Sequence, residues 1–103
     1  DKVSILLYPG EIPYFEEAYQ YAEEYLVTAA GQRNRNFLAG KADVSGLPFA
    51  LQELLFDPQT SGGLLSAVKE GQAAALLAEI QAEDPDARII GEIVARDKDI
   101  ILF

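Results

Sequence analysis

The chain has 103 residues, of which 50% are hydrophobic, and it contains neither cysteine nor histidine. This length is typical of one domain with one core, and the missing residue types exclude disulfides, thiolate chemistry and histidine-based catalysis within these residues. Eight basic and seventeen acidic residues give a formal charge of −9, which argues against nucleic acid as a partner because phosphate backbones are repelled.

The first predicted elements are a strand and a helix. Val3–Tyr8 is an apolar run that predicts a buried strand, and Pro9-Gly10 should end it in a turn. Pro13 suits the first position of a helix. Apolar residues then recur at intervals of three and four, which predicts an amphipathic helix over Pro13–Leu26 that packs on a sheet.

The middle of the chain is less regular. Arg33-Asn34-Arg35-Asn36 is a short basic and amide-rich segment in an acidic chain, and a loop or a short helix is expected there. Pro48 should open a further helix, which Asp57-Pro58 should end. The apolar residues of that helix are Phe49, Leu51, Leu54 and Leu55.

The last part predicts a strand over Leu64–Val68, a helix over Gly71–Glu83, and strands over Ile89–Ala95 and Ile100–Phe103. Four charged residues separate the last two strands, so an antiparallel hairpin is expected. The fold class is therefore α+β, a single domain over residues 1–103 with a mixed sheet covered by helices.

The segment with the most unusual chemistry is Gln59-Thr60-Ser61-Gly62-Gly63. Its amides and two hydroxyls suit a nest for a phosphate or another anion, and its glycines allow close approach of the backbone. The alternative is a tight turn whose hydroxyls satisfy local backbone groups, since no lysine follows the glycines as in a Walker motif. We expect a surface loop with one glycine at positive φ.

The run Leu54–Leu65, LLFDPQTSGGLL, resembles the signature of the selenophosphate synthetases. The Arg33–Leu38 stretch and Ala87–Ile93 resemble further segments of that family in the same order, so the resemblance covers essentially the whole chain. It implies the carboxy-terminal domain of a larger enzyme. The implied fold is that of the aminoimidazole ribonucleotide synthetase superfamily, with partial likeness to a ferredoxin-like arrangement.

The resemblance implies a selenide, water dikinase activity in the parent protein, which converts ATP, selenide and water to selenophosphate, AMP and phosphate with Mg. This domain would form one wall of the cleft beside an amino-terminal ATP-binding domain, in a homodimer. The family's catalytic and metal-binding residues precede this segment, so none is assigned here and the isolated domain is expected to bind no cofactor. The implied site is the Gln59–Gly63 loop, with Arg33, Asn34 and Arg35 as candidate anion contacts.

Other interpretations stay open. Arg33 and Arg35 also suit surface salt bridges, and Asp57 before Pro58 suits the end of a helix better than a metal ligand. Family members carry Pro-Gly-Gly-Thr where this chain has Thr28–Gln32, a departure that fits a divergent paralogue. The alternative functions are a non-catalytic binding or interaction domain, or the equivalent domain of a hydrogenase-maturation protein or a thiamine-monophosphate kinase.

The expected location is the cytoplasm. The longest apolar runs, Ile5–Tyr8 and Ile100–Phe103, are far shorter than the roughly 20 residues of a membrane span. No basic segment followed by an apolar one opens the chain, so no signal peptide is indicated. The first residue is Asp1 rather than methionine, which is expected of a fragment.

Overall fold

The computed structural model describes residues 2–26, 28–59 and 62–103. The strands are β1 (Val3–Leu7), β2 (Gly91–Ala95) and β3 (Ile101–Leu102), and a short 3₁₀ turn follows β1. The helices are α1 (Glu16–Glu23), α2 (Ala29–Phe37), α3 (Phe49–Phe56) and α4 (Glu70–Gln81). The expected α+β class is confirmed. No helix in the described residues is long and apolar enough to cross a membrane.

The three strands form a mixed sheet in the order β2-β1-β3. Strand β2 runs antiparallel to β1, with Val3 opposite Ala95 and Leu7 opposite Gly91. Strand β3 runs parallel to β1, with Ile5 opposite Ile101. The strand predicted at the start of the chain is therefore confirmed, and it is the central strand of the sheet.

The expected hairpin between the last two strands is wrong, because β1 lies between them. The connection that crosses β1 is bound by Ser4, whose side chain is fully buried at 0% exposure. Its hydroxyl donates to the carbonyl of Asp99 at 2.7 Å and accepts from the amide of Asp97 at 3.0 Å. These bonds hold the connection across β1, so the chain reaches the far side of β1 before β3 begins.

The strand predicted over Leu64–Val68 is also wrong, since these residues form no strand. Leu64 is 99% exposed and Leu65 is 73% exposed. An apolar run becomes a strand only where a neighbouring strand can pair with its backbone groups. The sheet in the described residues consists of β2, β1 and β3, and neither of its outer edges pairs with Leu64–Val68.

Helix α1 is shorter than predicted at both ends. Its C-terminal end is set by Tyr25, whose backbone takes the left-handed conformation with φ 61°. The amide of Leu26 then donates to the carbonyl of Tyr21 at 2.9 Å, which satisfies one of the last carbonyls of the helix. Among the described elements, α1 packs on α3, so the expected packing of this helix on the sheet is wrong.

Helix α3 is the centre of the helical layer, because both α1 and α2 pack against it. It follows Pro48 and ends at Asp57, as the sequence predicted. The buried apolar side chains come mainly from α3. They are Ala22, Ala50, Leu51 and Phe56. Helix α2 occupies the segment where a loop or a short helix was expected, and α4 agrees with its prediction to within two residues.

Candidate functional site

The N-terminal end of α2 meets the C-terminal end of α3. Thr28 is the N-cap of α2, where its hydroxyl oxygen accepts from the amide of Gly31 at 3.0 Å. The same hydroxyl donates to a carboxylate oxygen of Asp57 at 3.2 Å. Asp57 is the C-cap of α3, so its expected role at a helix end is confirmed. One side chain therefore links the beginning of α2 to the end of α3.

A second contact joins the same two helices. The amide nitrogen of Asn34 donates to the carbonyl of Phe56 at 2.7 Å. This carbonyl lies in the last turn of α3, where backbone oxygens have no partner further along the helix. The Arg33–Arg35 segment thus lies beside the residues that lead into the Gln59–Gly63 loop, although 22 positions separate Asn34 from Phe56 in the chain.

The Gln59–Gly63 loop is exposed at the three positions that the structure describes, Gln59, Gly62 and Gly63. Thr60 and Ser61, the candidate hydroxyl donors, lie outside the described residues. The amide of Gly62 donates to the carbonyl of Gln59 at 2.9 Å, which closes a tight turn. The loop is therefore on the surface and sharply bent.

The two glycines of this loop have different surroundings. A Cβ added at Gly62 would lie 2.8 Å from the Cβ of Gln59, whereas one added at Gly63 would meet nothing within 4 Å. The expectation that one of them adopts a positive φ is wrong. The described glycine with a left-handed backbone is Gly40, at φ 77°. Gly62 is required for space against Gln59 rather than for handedness.

Arg35 contacts α3 through its whole guanidinium group. It donates to the side-chain oxygen of Gln52 at 2.8 Å and forms an ion pair with Glu53. The guanidinium carbon also lies 4.8 Å from the ring centroid of Phe56 and 5.6 Å from that of Phe49. Glu53 is only 6% exposed, so the positive charge of Arg35 neutralises a buried carboxylate.

Arg33 has the opposite environment. Its side chain is exposed on the outer side of α2, and the described residues give it no ion pair. Of the three residues considered as anion contacts, Asn34 and Arg35 are therefore turned to α3. Arg33 is the one whose side chain is exposed to solvent.

A shallow cleft of about 240 Å³ lies between α1, α2 and α3. Its polar lining includes Thr28, Glu53 and Asp57, while Ala22 and Leu26 are among its apolar residues. The two carboxylates make this cleft unfavourable for a phosphate group. Across the described residues, no three Asp or Glu side chains come together as a metal site.

The capping role of Thr28 was not predicted from the sequence, where Thr28–Gln32 stood out only as a departure from the family pattern. A threonine three positions before Gly31 is a usable N-cap signal, and it predicts a helix beginning at Ala29. The contact to Asp57 gave no such signal. It joins residues 29 positions apart, and no local pattern carries that information.

Curated proteins that are similar to this chain carry the name selenide, water dikinase. The chain is 54% identical over 93 residues to the protein of Desulfitobacterium hafniense strain Y51, covering 90% of this chain and 27% of that protein. It is 52% identical over 100 residues to the protein of D. hafniense strain DCB-2, covering 97% of this chain and 29% of the relative.

The similarity extends to more distant relatives. The chain is 41% identical over 104 residues to the selenide, water dikinase of Agathobacter rectalis, covering 100% of this chain and 30% of that protein. It thus spans less than a third of the length of these relatives. No family model matches the chain, and no solved structure matches it.

Proposed function

Because this chain belongs to the selenide, water dikinase family and matches the carboxy-terminal part of its members, we propose that it completes one wall of the active-site cleft of a selenophosphate synthetase. The proposed reaction converts ATP, selenide and water to selenophosphate, AMP and phosphate. The proposed partner of this chain is the amino-terminal ATP-binding domain of the same protein. The full protein is proposed to be a homodimer in the cytoplasm.

The chemistry of phosphoryl transfer limits what this chain contributes. Such reactions depend on metal ions and cations that neutralise the charge of a positioned phosphate. The chain has no histidine or cysteine, and in its described residues no three Asp or Glu side chains come together. We propose that the amino-terminal domain supplies magnesium and the reacting groups, and that this chain positions and encloses the substrate.

The observation that supports this role is the junction of α2 and α3. The Arg33–Leu38 and Leu54–Leu65 segments resemble family motifs and are distant in sequence, yet the Asn34–Phe56 contact joins them, and the Thr28–Asp57 bond joins the same two helices. The proposed anion contacts are the backbone of the loop and the exposed side chain of Arg33. We propose that both face the amino-terminal domain.

A loop variant in the full-length enzyme tests this proposal. Gly62→Ala forces a Cβ against Gln59 and should displace the turn, lowering turnover by roughly tenfold or more because small misplacements are costly in phosphoryl transfer. The change lies on an exposed loop, so stability should fall by about 1 kcal/mol or less. Combining it with Thr60→Val removes a hydroxyl and should lower turnover further.

The matched control is Gly46→Ala, since a Cβ at Gly46 meets nothing within 4 Å. This variant should form selenophosphate at the same rate as the parent enzyme. Unchanged turnover of the Gly62→Ala enzyme would show that the loop does not border the reacting phosphate.

The second candidate function is a non-catalytic interaction domain. It is favoured by the exposure of large apolar side chains, with Leu64 at 99% and Leu65 at 73%. Complementation separates the two candidates. A cell lacking selenophosphate synthetase should regain selenoprotein synthesis with the full-length gene if the domain serves the enzyme, and should not regain it if the chemistry is lost.

A further inference from the structure

Phe56 and Asp57, the two residues before Pro58, are each held by a different side chain of the α2 region. The carbonyl of Phe56 accepts from Asn34 at 2.7 Å, and the carboxylate of Asp57 accepts from Thr28 at 3.2 Å. These are consecutive residues at the end of α3. The direction in which the chain leaves this helix is therefore fixed by two bonds from outside it.

Only Pro58 separates these bonds from the loop. Proline has a fixed φ and restricts the residue before it to extended backbone, and Asp57 has φ −65° and ψ 128°. Because the φ of Pro58 is fixed and Asp57 is held extended, the position of Phe56 and Asp57 limits where Gln59 begins the loop. A displacement at the end of α3 is therefore passed on to Gln59.

From this geometry we infer that Asn34 and Thr28 are positioning residues for the Gln59–Gly63 loop. Asn34 acts through the backbone of α3 and does not itself bind the anion. The inference rests on the proposed function of the loop. It assigns to Asn34 a role different from the direct anion contact that the family resemblance implied.

The two roles of Asn34 predict different measurements. A residue that contacts the nucleotide changes the KM for ATP, whereas a residue that holds the loop changes kcat and the local opening of the loop. Hydrogen exchange of the loop amides reports that opening directly. The decisive experiment therefore combines hydrogen exchange with steady-state kinetics on the full-length enzyme.

Asn34→Ala should raise the exchange of the loop amides by roughly three- to tenfold, because the bond that holds the carbonyl of Phe56, three positions before the loop, is lost. The kcat of this variant should fall, and its KM for ATP should stay within about twofold. Thr28→Ser keeps both hydroxyl bonds and should behave as the parent. Thr28→Val removes both bonds and should raise loop exchange in the same way as Asn34→Ala.

Asn36→Ala is the matched control. Asn36 is the same residue type on the same helix, and its side-chain oxygen accepts from Gln32 at 3.3 Å within α2. This variant should change neither loop exchange nor turnover. If Asn34→Ala and Asn36→Ala give the same exchange and the same kcat, the positioning role is wrong.

The Gly62→Ala enzyme separates this inference from the proposed function. Lowered turnover of Gly62→Ala with normal exchange and turnover of Asn34→Ala overturns the inference alone. Normal turnover of Gly62→Ala overturns the proposed function, and the inference with it. A raised KM for ATP in Asn34→Ala with unchanged loop exchange makes Asn34 an anion contact and overturns its positioning role.

Discussion

Removing the charge of Arg35 should destabilise the chain more than any other single surface substitution on α2. In Arg35→Met the side chain keeps much of its length, but Glu53 loses its cation while remaining 6% exposed. Loss of one partner of a buried ion pair costs about 3–5 kcal/mol. The side chain of Arg35 is 23% exposed, so water weakens the pair and the lower half of that range applies.

The aromatic contacts of Arg35 add to this cost. The guanidinium carbon lies 4.8 Å and 5.6 Å from the centroids of two phenylalanine rings, and each cation–π contact contributes about 0.5–1 kcal/mol. Methionine retains part of that packing. We therefore expect the free energy of unfolding to fall by about 3 kcal/mol, which corresponds to roughly 12–24 °C in Tm for a domain of this size.

A double-mutant cycle in urea unfolding measures the coupling. Glu53→Gln should cost about 1–2 kcal/mol, because a neutral amide still accepts from Arg35. In the double variant Arg35→Met with Glu53→Gln no charge is left unpaired, so its loss should be about 1.5 kcal/mol smaller than the sum of the single losses. Arg33→Met, on the same helix and exposed, should change stability by less than about 0.5 kcal/mol.

Additive losses in this cycle would refute the argument, since independent contributions mean that Glu53 does not depend on Arg35. Equal losses for Arg33→Met and Arg35→Met would refute it as well. In that case the destabilisation would come from removing any positive charge in an acidic chain.

Three further predictions concern Gly91 in β2, the turn at Asp43 and the net charge of the chain. Gly91→Ala should lower the free energy of unfolding, measured in a urea titration, by about 1–3 kcal/mol, because the added Cβ would overlap the carbonyl oxygen of Leu6. The control is Gly71→Ala, where the added Cβ meets no atom within 4 Å, and it should be neutral or stabilising in the same titration. Hydrogen bonds from the side chain and amide of Ser45 hold the pKa of the Asp43 carboxyl below its ordinary value. Carboxyl NMR should show this lowered pKa, and Ser45→Ala should raise it. The contribution of Asp43 to stability should be lost as the pH falls through the lowered pKa. Calorimetric titration of the 103-residue chain with Mg-ATP should show no micromolar binding, because the formal charge is −9; micromolar binding would mean that the nucleotide site lies in this chain.

The elements that could be predicted from the sequence are those whose signals are local. The apolar run at Val3–Leu7 gave β1, and the stop at Asp57-Pro58 gave the end of α3. The strands β2 and β3 were each predicted, but their pairing was not. The connection between them is bound by the buried hydroxyl of Ser4, and a serine in an apolar strand does not indicate which residues it will bind.

In the candidate site, too, local features could be predicted from the sequence and long-range contacts could not. The exposure of Gln59, Gly62 and Gly63 followed from their composition. The contacts of Thr28 and Asn34 with the end of α3 did not, because they join residues 29 and 22 positions apart. Such contacts depend on how two helices pack. The amphipathic pattern of a helix predicts which of its faces is buried, but not which element packs against that face.

Charge composition alone also overstates what the Arg33–Arg35 segment offers an anion. Two arginines flanking an asparagine in an acidic chain suggest a cationic binding surface. One of them, however, forms an ion pair with Glu53, which is only 6% exposed. The other, Arg33, stays exposed. The segment therefore presents one positive charge to solvent, and its asparagine and second arginine hold α2 against α3. This division explains how a segment whose composition suggests a phosphate contact can serve chiefly to hold α2 against the end of α3.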